Sequence, residues 1–141
     1  MASDDQSAAA DLLARAEYGR VATSMHALPL LTSARHIVDD GRVLLRMSRG
    51  HGHHRACAGS VVAYGADNLD TARPGERRWS VQIVGACAEH EPTRAQWERF
   101  GPVPRHTDGR PWDVVHLRIE PQFWSVRSDD VALEHPFAHR T

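Results

Sequence analysis

The chain has 141 residues, enough to bury one core without disulfide or metal staples, so a single domain spanning 1–141 is expected. Its 17 basic residues, all arginine, face 18 carboxylates for a formal charge of -1, which leaves no global field to hold nucleic acid or an anionic membrane; any anion site must be local. Cys57 and Cys87 lack CxxC spacing, and "MASDDQSAAADLLARAEYG" contains no apolar signal region, so the sequence reads as a soluble, cytoplasmic protein with both thiols reduced.

In chain order, Ser7 is placed to cap a first helix whose apolar positions Ala9, Leu12, Leu13 and Ala16 follow helical spacing, with Gly19 placed to stop it. From Arg20 the pattern changes to five short segments rich in β-branched or alternating apolar residues: "RVATSMH", "LLTSARHIV", "RVLLRMS", "SVVAYGA" and "WSVQIVGACAEH". The links "ALP" and "DDG" suit hairpins, whereas "DNLDTARPGERR" is long, polar and expected to be mobile. "TRAQWERF" opens with capping-box spacing from Thr93 to Gln96 and predicts a short second helix. "GPVPRHTDGRP" reads as a loop. In "DVVHLRIEP", Val115, Leu117 and Ile119 alternate with His116, Arg118 and Glu120 as a sixth strand. "QFWSVRS" continues it beyond an interruption at Pro121, and the residues from Asp129 read as a loosely ordered tail. The fold class is therefore mainly β with flanking short helices, its core lying at about 8–127.

The stretch "RVLLRMSRGHGHHRACAGSVVAYG" concentrates donors between two strands. Alternation puts Arg46 and Ser48 on one face at the end of a strand, and the next loop adds Arg49, His53, His54 and Arg55, with Gly50 and Gly52 allowing close backbone approach. Guanidinium forks suit phosphate oxygens. The competing reading is a solvated basic loop, whose arginines would contribute little to the core. A metal reading draws on His51, His53, His54 or Cys57, with His53 and Cys57 sharing a helix face at i, i+4, but finds no second ligand pair. A haem reading needs one axial ligand from His51, His53, His54 or His116. Neither a G-x-S-x-G elbow nor a phosphate-loop motif occurs, which removes support for hydrolase and nucleotide triphosphatase readings.

From residue 8 to residue 127 the order of elements, with "LLARAEYGRVATS", "DDGRVLLRMSRG", "SVVAYGADNLD", "RRWSVQIVGACAE" and "VVHLRIEPQFWSVR", resembles the flavin-binding split-barrel family of pyridoxamine 5'-phosphate oxidase. The resemblance implies a six-stranded antiparallel split β-barrel, a homodimer, and FMN in a groove between subunits. It implies cofactor contacts from Arg35, Arg46, Met47, Ser48, His54, Arg55, Ser80 and Trp124, and it assigns no catalytic acid or base. The family's basic pair usually contains a lysine, which this chain lacks. The function implied is an FMN-dependent oxidoreductase acting on a small molecule. A deazaflavin in place of FMN, a haem-binding or haem-degrading barrel, and a cofactor-free binding protein stay open as alternatives.

Overall fold

The structure is a computed structural model that describes residues 4–128; the tail expected from Asp129 lies outside the described residues. Six antiparallel strands close into a barrel: β1 (Tyr18–Met25), β2 (Leu28–Asp39), β3 (Arg42–Ser48), β4 (Val61–Asp67), β5 (Trp79–Glu89) and β6 (Val114–Ser128). Their order around the barrel is β1-β2-β3-β6-β5-β4. Inward positions of the alternating strands, among them Val21, Val43, Leu45, Val62, Tyr64, Ile83, Leu117 and Ile119, fill the interior and are buried.

Helix α1 (Asp4–Leu13) presses Ala9 and Leu13 onto this core. It begins upstream of Ser7, which therefore lies inside the helix instead of capping it. It ends at Leu13, whose carbonyl accepts hydrogen bonds from Ala16 N and from His36 Nε2 (2.8 Å). Gly19 is not a helix stop. It is a β1 residue where a Cβ would come within 2.5 Å of both Gly65 O and Tyr64 Oη, so only glycine lets the strands approach.

Both short hairpin links are two-residue turns with positive φ at each position, His26 and Ala27 in one, Asp40 and Gly41 in the other. This handedness matches the twist of the flanking strands. The long link after β4 is clasped at its base: Asn68 Oδ1 accepts from Trp79 N (2.7 Å) and Asn68 Nδ2 donates to Arg77 O (3.0 Å).

The expected interruption at Pro121 is absent, because β6 runs through it. Gly85 pairs with Pro121 while Val84 pairs with Phe123, so Gln122 is an extra residue in the ladder. That bulge accommodates a residue with no N–H to give.

Helix α3 (Arg94–Phe100) carries the expected capping box between Thr93 and Gln96. Its Phe100 covers Ile37 and Leu44 on the outside of the barrel, so β3 is buried on both faces from Val43 to Ser48. This second covered face positions the site. A short turn of 3-10 helix (Arg49–His51) and helix α2 (His53–Cys57) then lead from β3 to β4.

Candidate functional site

Where α3 and the following loop overhang β2 and β3, a cleft of about 290 Å³ opens. Its walls include Tyr18, Thr32 to Arg35, Arg46 to Ser48, His51, His53, Phe100 and Trp112, and among the described residues no carboxylate side chain contributes to them. It continues into a wider depression edged by Arg20 and Leu31.

Arg46 is the centre of the arrangement. It is 2% exposed, so the competing reading of a solvated basic side chain does not hold for it; α3 and the chain after it lie over the β3 end. Nε donates to His116 Nε2 (3.1 Å), and Nη1 donates to the carbonyls of Gly101 (3.0 Å) and Pro102 (3.4 Å). The guanidinium carbon lies 5.1 Å from the ring centre of Trp97 and 4.9 Å from that of Phe100, within cation–π range. Nη2 is buried without a partner among the described residues, and so is Ser48 Oγ. Among the described residues Arg46 forms no ion pair with a carboxylate.

Arg35 pairs with Arg46 across the β2–β3 ladder and therefore projects from the same face. Its guanidinium donates to the carbonyls of Glu17, His36 and Arg99. Burial, and then the positive charge of Arg35, lower the pKa of Arg46 from its ordinary value. His116 is held neutral, its pKa lowered to about 4 by burial and by the charge of Arg46. Since arginine can only donate, His116 Nε2 is an acceptor and the ring proton resides on Nδ1.

Of the residues proposed from sequence, Arg35, Arg46, Met47 and Ser48 meet in this cleft. His54 and Arg55 lie on α2 outside its lining: His54 is buried with Nδ1 unpartnered, and Arg55 is exposed. Ser80 lines a separate depression with Ala63 and Gln82, and Trp124 packs partly buried against the barrel core. Among the haem-ligand candidates, His51 and His53 line the cleft, whereas His116 Nε2 is engaged by Arg46. His53 and Cys57 do share a short helix, yet Cys57 is sealed in the core, and no group of three or more His, Cys, Asp or Glu among the described residues is placed to hold a metal ion. Sequence reasoning missed Trp112, Phe100 and Tyr18. Trp112 sits on the loop after α3, with its ring 5.4 Å from that of His51, and no periodicity marks a residue there.

A model of the pyridoxamine 5'-phosphate oxidase family matches residues 5–128, nearly the whole chain. The chain belongs to this family. A Mycobacterium tuberculosis protein of uncharacterised function, Rv0080, is 39% identical over 90 residues, covering 60% of this chain and 58% of that protein. An FAD-binding protein of Mycobacterium smegmatis superposes with a TM-score of 0.67 at 22% identity, covering 90% of this chain and 97% of the other. An FAD- and haem-binding protein from the same organism gives 0.66 at 20% identity, covering 92% and 73%. At these identities the solved structures show the shared barrel alone. The orphaned Arg46 Nη2 and Ser48 Oγ belong to residues that line the cleft where β2, β3 and the end of α3 converge, and those donors fit an anionic group. No helix among the described residues is long and apolar enough to cross a membrane.

Proposed function

We propose that this chain is a flavin-dependent oxidoreductase whose cleft between β2, β3 and α3 takes the phosphate of FMN. One observation carries the reading: among the described residues a buried guanidinium nitrogen and a buried hydroxyl, Arg46 Nη2 and Ser48 Oγ, have no partner, and the cleft they belong to is lined by a second arginine and by no carboxylate. An unpaired buried donor costs about 1–3 kcal/mol, so the arrangement favours a ligand that accepts from both. Flavin supplies hydride chemistry when bound. The chain's own residues bind and orient: Arg35 and Arg46 supply positive charge, Ser48 a hydroxyl, and Phe100 and Trp112 apolar walls that exclude water. The comparison with FAD-binding proteins of the same fold supports a flavin in general. Absence of lysine is no obstacle, since the buried arginine presents a preorganised fork.

The same proposal includes a homodimer. Outside the barrel, Leu31, Ala22, Ala63, Val84 and Phe123 are successive cross-strand partners and form an apolar row across five strands; Leu31 and Phe123 are 65% and 60% exposed. A second copy would cover this row and border the depression beside Leu31. Sedimentation of a monomer at micromolar concentration with flavin bound would sink this part.

The absorbance spectrum of purified and FMN-reconstituted protein tests the main reading. A flavin band with quenched flavin fluorescence is expected. A Soret band instead would favour the haem reading, which draws on His51 and His53 at the cleft wall and on the haem-binding protein of the same fold. A colourless protein that takes up neither would leave the cofactor-free alternative.

A further inference from the structure

The partner chosen for Arg46 is chemically unusual. Buried arginines are ordinarily paired with carboxylates, which orient the fork and cancel its charge together. Here the cross-strand neighbour is His116, a buried ring packed between Trp97 (4.9 Å between centres) and Phe100 (5.0 Å). Its Nε2 accepts the Nε–H of Arg46, and the carbonyls of Gly101 and Pro102 take Nη1. Every one of these acceptors is uncharged. They fix three of the directions in which the guanidinium can donate and leave Nη2 as the buried donor without a partner. The fork is oriented, and its full positive charge is kept.

We propose that His116 is a positioning and charge-preserving residue: it aims Arg46 into the cleft without neutralising it, and thereby sets the affinity of the site for an anionic phosphate. The proposal deepens the functional reading above and rests on Arg46 as the anion contact. A carboxylate at position 116 would hold the same Nε–H but would make an ion pair with Arg46 that competes with the incoming anion. An apolar residue would leave the charge in place and release the fork. Only a neutral acceptor does both things at once. This separates the idea from a purely structural role for the residue, in which any side chain that packs between Trp97 and Phe100 would serve.

Three substitutions distinguish these cases: His116→Asn (neutral acceptor), His116→Asp (charged acceptor) and His116→Leu (no acceptor). Each is titrated with FMN by fluorescence quenching, with riboflavin, which carries the same ring without phosphate, as the control. His116→Asn is expected within about threefold of the parent protein, and the other two about tenfold or more weaker for FMN, the scale of one charge-assisted hydrogen bond, with riboflavin unchanged in all three. Binding of FMN by His116→Asp as tight as by His116→Asn overturns the proposal. If His116→Leu fails to fold, the Asn and Asp pair decides alone. The same variants are ranked by the thermal shift that inorganic pyrophosphate produces. If the parent protein takes pyrophosphate but not FMN, the flavin reading fails while the pyrophosphate ranking still decides His116. If it takes neither, both fall.

Discussion

Arg35 and Arg46 stand opposite each other across the β2–β3 ladder, and among the described residues no carboxylate lines the cleft that both face. Like charges placed directly opposite in a sheet are destabilising, so the pair favours any state in which an anion lies between them. Arg46→Ala is therefore expected to weaken FMN by about 1.5–3 kcal/mol. Arg55→Ala should leave FMN affinity unchanged, because Arg55 is exposed on α2 outside the cleft lining. Arg46→Ala also strips His116 Nε2 and Gly101 O of their donor, so its urea midpoint should fall as well. Parallel flavin titrations and urea melts check both outcomes; equal losses of affinity for the two variants would contradict the assignment.

Acid should unfold the protein early. His36, His54 and His116 all have pKa values lowered from 6.5, in each case chiefly by burial. The folded state resists protons that the unfolded chain accepts, so stability is full above about pH 6.5 and declines as pH falls toward the folded values, near 4 for His116. Each such histidine steepens the decline by at most about 1.4 kcal/mol per pH unit. Urea melts between these limits should show the slope, and His36→Gln should flatten it even if it lowers overall stability; an unchanged slope in that variant would argue against the buried neutral ring.

Thr93→Ala removes a cap that accepts from Gln96 N, along with half of the reciprocal pair. The loss should be about 1 kcal/mol of stability. It should reach the cleft too, since the chain leaving α3 supplies the Gly101 and Pro102 carbonyls that receive Arg46. A thermal melt and an FMN titration on one sample measure the two effects. A stability loss with wholly unchanged affinity would uncouple the helix from the site.

Cys57 and Cys87 are both buried, and burial pushes the Cys87 thiol up to about 12. Aromatic disulfide reagents should label neither at an appreciable rate in the native protein, and two thiols should appear on denaturation without reductant. Prompt native labelling of either would place it outside the core described here.

Strands, hairpins and the capped helix were legible because they depend on local signals: alternation at Val115, Leu117 and Ile119, and the Thr93 to Gln96 spacing. The Asp40–Gly41 turn carries the usual residues for positive φ, whereas His26–Ala27 does not and yields to the same geometry because β1 and β2 impose it. The site was half legible. Arg35, Arg46, Met47 and Ser48 sit on regular strands whose facing can be counted. Phe100 and Trp112 reach the cleft by tertiary placement of α3 and its loop, which leaves no periodic trace. Ser80 and Trp124 also fall on regular strands, but within one chain they face elsewhere on the barrel. Burial of Arg46 and His116 was hidden for one reason: alternation marks an outward position, and it cannot announce that a helix will later cover it.

The placement of β6 between β3 and β5 bears on how the chain acquires its site over time. Arg46 and His116 are 70 residues apart in sequence, and β3 and β5 present bare edges until the last strand docks between them. Contacts this distant require loop closure before they return any free energy, which places folding in the slow, millisecond-to-second range of β-rich topologies. Ligand competence should therefore arise late, with a stopped-flow signal from flavin quenching trailing the burst of hydrophobic collapse. During that lag the unpaired edges are open to neighbouring chains, so refolding yield should drop as protein concentration is raised.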